Sequence, residues 1–179
     1  MTAFALDPAH SQVEFVVRHM VISKVRGSFG SFRVDLDVDE STNLPTSINA
    51  EIDVNSIDTK VADRDAHLRS ADFFHVELHE KMTFRSTRIA GSPEKFTIDG
   101  DLTIHGVTRP VTLNASVDGR LNDPWGNDRI AYSAKTKINR KDFGLTYNQA
   151  LEAGGVLVGE DVEIELTLEA VKVAAPATV

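Results

Sequence analysis

Apolar and polar residues alternate with a period of two along most of the chain, as in β-strands with one buried face and one face in water. The alternation is clearest in residues 32–39, FRVDLDVD, where every second side chain is apolar. It recurs in residues 12–18, 48–55, 82–85, 96–104, 111–117, 130–138 and 162–170. Eight such segments joined by turn sequences predict an all-β domain whose antiparallel sheet is buried on one side.

One stretch, residues 61–74 (VADRDAHLRSADFF), does not alternate. Its alanines and polar residues recur at intervals of three and four. Asp63 can cap a helix and Asp65 would lie in its first turn. Two phenylalanines then lead back to extended chain. A short helix in the middle of a strand protein predicts a lid over one end of the sheet.

An antiparallel sheet of eight strands removes its exposed edges by closing into a barrel. A barrel of this size is either filled by its own side chains or holds one small ligand. Many of the predicted inward residues are valine or alanine, and aromatic residues make up only 7% of the chain, which favours a cavity. Gly100 interrupts one strand and predicts a bulge or bend there. Residues 118–129 (DGRLNDPWGNDR) predict the longest turn.

Length and composition narrow the class of protein further. A length of 179 residues fits one domain, predicted here as a barrel over residues 1–173 with a disordered tail at 174–179. The absence of cysteine excludes disulfides and thiolate chemistry, and the net charge of -8 argues against a nucleic-acid partner. No apolar run approaches the ~20 residues of an integral membrane segment. The first residues lack the basic and apolar regions of a signal peptide, so a cytoplasmic location is expected.

An ordered series of motifs runs from about residue 4 to residue 170. These are DPAHS at 7–11, Phe15, His19, GSF at 27–29, SIDT at 56–59, RDAHLRSADFF at 64–74, FRST at 84–87, GDLTIHGVT at 100–108 and RKDFGL at 140–145. Together they resemble the YceI-like family of polyisoprenoid-binding, lipocalin-like proteins. The resemblance implies an eight-stranded antiparallel barrel with a short helix capping one end. It also implies an apolar tunnel for a long-chain isoprenoid or another amphiphilic lipid, and a possible homodimer.

The chain departs from that family directly after the predicted lid at residues 61–74. His75 stands where the family commonly has aspartate, and Glu80 where it commonly has proline. Many relatives carry a secretion signal and none is expected here, so a periplasmic carrier role does not transfer automatically.

The predicted ligand site has two parts. The tunnel lining is predicted to comprise Val13, Phe15, Val17, Phe32, Val34, Leu36, Ala50, Ile52, Leu68, Phe73, Phe74, Phe84, Ile98, Leu102, Leu113, Ala134 and Leu166. The residues predicted to meet the ligand head or to form the lid are Arg18, His19, Arg64, His67 and Arg69. The alternative is that Arg64 and Asp65 bind loop backbone and so seat the helix, and this structural role is favoured. Arg18 and His19 have the same two interpretations.

Other chemistry finds less support. His75 and His79 are four residues apart, but spacing fixes no third ligand, so neither a metal site nor a cofactor is predicted. His10 and Ser11 are adjacent and would point to opposite faces of a strand, which excludes a hydrolase triad.

The sequence therefore favours a lipid-binding or carrier protein that is not an enzyme. One alternative is a lipid-acting isomerase or cyclase with a histidine or arginine at the mouth as acid or base, for which Tyr132 and Thr136 are the best inward polar candidates. The other is a packed barrel that acts by binding proteins.

Overall fold

The computed structural model describes residues 1–175, and they form a β-barrel with one α-helix. The strands are β1 (Thr2–Leu6), β2 (Gln12–His19), β3 (Ser23–Phe29), β4 (Phe32–Asp39), β5 (Leu44–Asp53), β6 (Ile57–Asp58), β7 (Lys81–Ser92), β8 (Lys95–Ile104), β9 (Val107–Asn122), β10 (Asp128–Asn139) and β11 (Val158–Lys172). The helix α1 (Ala62–Arg69) lies between β6 and β7. The predicted tail at 174–179 falls mostly on residues 176–179, which lie outside the described residues.

The eleven strands occupy eight positions around the barrel, because three positions are each built from two short strands. β11 pairs with β1 at Leu6 and with β2 at Gln12, so β1 and β2 continue one another across a short 3-10 turn. In the same way β3 continues into β4, and β5 into β6. All the pairings are antiparallel, and the contact of β1 with β11 closes the ring. The predicted closed, eight-stranded antiparallel barrel is confirmed.

The turn predicted at residues 118–129 is shorter in the structure. Residues 118–122 belong to β9 and residues 128–129 to β10, so only residues 123–127 turn between the two strands. The Asp123 carboxylate holds this turn by accepting hydrogen bonds from the backbone N–H groups of Trp125 and Asn127. The sequence also missed β1, β3 and the two-residue β6.

Gly100 does not interrupt β8. The irregularity lies in the facing strand β7, whose register with β8 shifts between Ser86 and Arg88. A Cβ atom at Gly100 would lie 2.3 Å from Cζ of Phe84, so the glycine makes room for the phenyl ring. The predicted irregularity at Gly100 is therefore present, but the extra residue belongs to the facing strand β7.

Apolar residues pack in two groups, one toward each end of the barrel. The group beneath α1 is centred on Phe29, Val54, Ile57, Met82, Leu102, Ile104, Phe143 and Leu145. The group at the far end is centred on Phe4, Val34, Leu36, Val38, Phe96, Ile98, Leu113, Ala115, Ile130, Tyr132, Ala134 and Ala170. In the part of the chain that the structure describes, no helix is long and apolar enough to cross a membrane.

Arg129 ties together the far end, opposite α1. Its guanidinium donates to the carboxylates of Asp7 at 2.8 Å, Glu169 at 2.7 Å and Asp123 at 2.7 Å. The hydrogen bonds from Arg129 and His10 lower the pKa of Asp7 from its ordinary 3.8 to about 2. The ionised carboxylate of Asp7 is therefore more stable in the folded chain than in the unfolded chain.

This cluster predicts an acid-sensitive contribution to stability. Because the folded pKa of Asp7 is the lower one, the stabilisation is present above pH 3.8 and is lost as the pH falls toward 2. Arg129→Met should lower the melting temperature at pH 7. The difference in melting temperature between the variant and the wild type should become smaller between pH 4 and pH 2. Thermal melts across this pH range measure the effect. Arg33→Met is the control, because the Arg33 side chain is 77% exposed; equal behaviour of the two variants would contradict the prediction.

Candidate functional site

A cavity of about 230 Å³ lies inside the barrel, beneath the segment that carries α1. Side chains from all eight barrel positions and from that segment surround it, and the surface they present to it is wholly apolar. Close-packed interiors rarely leave voids larger than one water molecule, whereas a dry apolar cavity of about 150 Å³ already takes benzene. The space is therefore large enough to be a ligand site.

The predicted inward face of the barrel lines this cavity almost completely. Of the residues predicted for the tunnel, the following line it: Val13, Phe15, Val17, Val34, Leu36, Ala50, Ile52, Leu68, Phe73, Phe74, Phe84, Ile98, Leu102, Leu113, Ala134 and Leu166. Phe32 does not, although it shares the parity of Val34 and Leu36. It is the first residue of β4, directly after the break that separates β4 from β3, so parity alone does not place its side chain. Contact of these residues with a ligand stays a prediction.

Several lining residues were missed because their strands or turns were not predicted. Leu6 comes from β1, Phe29 from β3, and Leu145 from the segment between β10 and β11. The alternation of Val25, Gly27 and Phe29 in β3 is the signal that could have found that strand.

Aromatic rings connect the barrel wall to the helical segment. The ring centroids of Phe15 and Phe29 are 5.6 Å apart, and those of Phe29 and Phe74 are 6.2 Å apart. Phe15 lies against Gly27, where a Cβ atom would be 2.2 Å from its ring. The glycine thus leaves room for the tip of the Phe15 ring against β3.

Residues 59–80, called the lid here, cover one end of the cavity with α1 at their centre. Leu68, Phe73 and Phe74 of the lid line the cavity. The helix begins after Val61, which makes no side-chain capping bond, so the predicted cap at Asp63 is wrong. The apolar residues of the lid therefore close the barrel, and its polar residues hold it in place.

The lid is anchored by a buried cluster of three side chains. Oδ1 of Asp65 accepts hydrogen bonds from the backbone N–H and the hydroxyl of Thr59, at 2.9 Å and 2.5 Å. Arg64 donates from Nε to the Thr59 hydroxyl oxygen and from Nη2 to the Thr59 carbonyl oxygen, both at 2.7 Å. Thr59 and Asp65 are both buried. This cluster fixes the entry of α1 relative to β6.

None of the five residues predicted to meet a ligand head lines the cavity. Arg64 is occupied by Thr59, and Arg69 donates to the carbonyl oxygens of Asn55 and Ile57. For Arg64 this is the structural role that the sequence favoured. His67 is paired with Asp72 at 2.9 Å. Arg18 and His19 end β2 away from the cavity, and Arg18 is exposed.

Four residues with polar side chains border the cavity, and each of them has a protein partner. The carboxylate of Glu14 lies 3.7 Å from Nη1 of Arg26. Tyr132 donates to the carbonyl oxygen of Asn43, and Thr136 to that of Thr112. Burial raises the pKa of the Tyr132 hydroxyl well above its ordinary value. Arg140 is 4% exposed and donates to the carbonyl oxygens of Val158, Gly159 and Leu145, which fixes the turn after β10.

Comparison with known proteins places this architecture in a family. A sequence profile of the YceI-like domain matches residues 4–170. A UPF0312 protein of Staphylococcus epidermidis is 38% identical over 170 residues, which cover 94% of this chain and 97% of that protein.

Solved structures show the same barrel. BcnA of Burkholderia cenocepacia superposes with a TM-score of 0.79 at 23% identity, over 92% of this chain and 98% of that one. A polyisoprenoid binding domain from Saccharophagus degradans superposes with a TM-score of 0.70 at 16% identity, over 97% of this chain and 100% of that one. With its profile match, its close relatives and its barrel, this chain belongs to the YceI-like domain family.

Proposed function

We propose that this protein binds the apolar chain of a long-chain isoprenoid, or of a similar amphiphilic lipid, inside the barrel. The observation that carries the proposal is the wholly apolar cavity of about 230 Å³ beneath the lid. Such a lining offers a polar ligand no hydrogen-bond partners, whereas it can exclude water from a hydrocarbon chain. The description of the Saccharophagus degradans domain as polyisoprenoid binding supports the same class of ligand.

The energetics favour a chain over a compact molecule. Each CH₂ group transferred from water to an apolar lining gains about 0.8 kcal/mol. Ordering of the chain and of the side chains around it offsets part of that gain. A long hydrocarbon chain can thus be held firmly without any polar contact inside the barrel.

Binding is favoured over catalysis by the state of the polar groups on the wall. An isomerase or cyclase would need an acid or base with a proton to exchange near neutral pH. Tyr132, the best candidate from the sequence, has its pKa raised by burial and its hydroxyl hydrogen bonded to Asn43. Thr136 is bound to a backbone carbonyl oxygen and does not ionise in this range. Carrying or storing the ligand needs none of these groups.

Mass spectrometry of the freshly purified chain tests the proposal. We expect a native spectrum with a reproducible added mass and a denatured spectrum without it. The solvent extract should contain a molecule with a long apolar chain. The native mass also tests the predicted homodimer.

The opposite result would be an empty barrel that stays empty after incubation with polyprenyl phosphates, quinones and fatty acids. That result would contradict lipid binding and leave the packed barrel with a protein-binding surface as the better hypothesis.

A further inference from the structure

Three histidines meet where the lid contacts the barrel. His75 and His79 lie in the last part of the lid, and His105 lies in the turn between β8 and β9. The ring centroids are 6.3 Å apart for His75 and His79, and 4.6 Å apart for His79 and His105. All three side chains are half-buried. The lid and the barrel therefore contribute imidazoles to one cluster.

The two lid histidines have a spacing that suits chelation. The backbone N–H of His79 donates to the carbonyl oxygen of His75 at 3.0 Å, which closes one turn of chain between them. Histidines four residues apart on a helix can bind one ion. Here residues 75–79 form a turn in which His75 has a φ of 49°, so the relative position of the two rings is given by their 6.3 Å separation and not by helical spacing. The sequence offered no third ligand by spacing, and the fold supplies one from His105, which lies 26 positions beyond His79.

The separations of the rings agree with those around a tetrahedral ion. With metal-to-nitrogen distances of about 2.0 Å, the centres of two coordinating imidazoles lie about 5 Å apart. The observed separations of 4.6 Å and 6.3 Å lie on either side of this value. The ligand atoms of the three histidines do not all lie within 4.8 Å of one another, so binding of one ion would require the side chains to rotate toward it.

The surroundings of His105 prepare it to act as a ligand. A Cβ atom at Gly144 would lie 3.3 Å from Nδ1 of His105, so this nitrogen faces the turn after β10. When one ring nitrogen of a histidine lies against protein groups, the other is the one available to a metal.

A second group of possible ligands, Asp7, His10 and Glu169, lies at the far end of the barrel. Arg129 already donates to both carboxylates, at 2.8 Å and 2.7 Å. A cation there would have to displace this guanidinium. The second group therefore serves as a comparison and not as a site.

We propose that His75, His79 and His105 bind one divalent transition-metal ion, with Zn²⁺ as the representative. Imidazole ligands suit Zn²⁺, Ni²⁺ and Cu²⁺, whereas Mg²⁺ and Ca²⁺ prefer oxygen ligands. The fourth position remains open to water. Because two ligands come from the lid and one from the barrel, the bound ion fastens the lid to the rim. The metal site itself does not depend on the proposed lipid.

Titration calorimetry of the untagged full-length chain with ZnCl₂ tests the site. We expect one Zn²⁺ per chain, binding of NiCl₂ as well, and no binding of MgCl₂. His105→Gln and His79→Gln should each weaken Zn²⁺ binding at least tenfold, because the loss of a ligand costs no less than the loss of its supporting partner, about 10–100-fold. His10→Gln is the matched control and should bind as wild type does.

Hydrogen exchange gives a second measurement that needs no variant. Zn²⁺ should slow amide exchange in residues 70–80 and 104–107 together, and it should leave residues 7–11 unchanged. Zn²⁺ binding that survives both His105→Gln and His79→Gln, or that is lost in His10→Gln, would overturn the proposal. So would the absence of stoichiometric binding to the wild-type chain.

Discussion

Ala50→Trp is expected to abolish ligand uptake while the barrel stays folded. Ala50 lines the cavity from β5 and is only partly buried, so an indole can extend into the space that the ligand would use. We expect the amount of co-purifying lipid to fall at least tenfold, which corresponds to a loss of about 1.4 kcal/mol or more. Extraction and mass spectrometry of equal amounts of wild type and variant measure the loss, and circular dichroism checks the fold.

The control for Ala50→Trp places the same indole on the outer face of the barrel. Lys135 lies on β10 next to Ala134, is exposed and points away from the cavity. Lys135→Trp should bind lipid as wild type does, whereas Ala134→Leu should reduce binding less than Ala50→Trp because it fills less space. Full binding by Ala50→Trp would show that the ligand lies elsewhere.

Asp65→Ala is expected to loosen the lid and destabilise the protein by about 2 kcal/mol. The substitution leaves the backbone N–H and the hydroxyl of Thr59 without their acceptor in a buried place, and a buried unsatisfied polar group costs about 1–3 kcal/mol. Denaturant unfolding measures the loss of stability. The rate at which bound lipid is released should rise in parallel, because Leu68, Phe73 and Phe74 move with the lid.

Two further variants test whether the stability loss of Asp65→Ala comes from the buried cluster or from the helix itself. Asp63→Ala, in the same first turn but exposed, should change stability by no more than about 0.5 kcal/mol. Asp65→Asn keeps an acceptor oxygen and should recover most of the loss. If Asp65→Ala behaved like Asp63→Ala, the buried cluster would not anchor the lid.

The sequence predicted the walls of the barrel well, because a period of two fixes which side chains share a face. Where strands run without a break, as in β7 and β8, parity alone places Phe84, Ile98 and Leu102 on the cavity. It did not reveal β1, whose residues TAFAL lack alternation, or β3, whose apolar series is weakened by Gly27. At the break before β4, parity placed Phe32 wrongly.

The polar part of the site was less accessible to prediction, because its side chains are bound to groups that spacing does not reveal. Arg69 reaches the carbonyl oxygens of Asn55 and Ile57, which depends on how the lid folds back on β6. His105 approaches His79 only because the turn between β8 and β9 lies beside the lid. Such contacts belong to tertiary structure, and a single sequence without the fold does not contain their distances.

The closure of the ring between β1 and β11 also has a consequence for how the chain folds. β1 pairs with residues 170–172 and β2 with residues 158–167, so the first strands find their partners only when the last strand is present. Pairing across so long a separation slows folding, and until it occurs two strand edges remain open to other chains. Folding should therefore end with the joining of the two ends of the chain. Chains in which β1 and β2 have not yet paired with β11 would be the most prone to aggregate at high concentration.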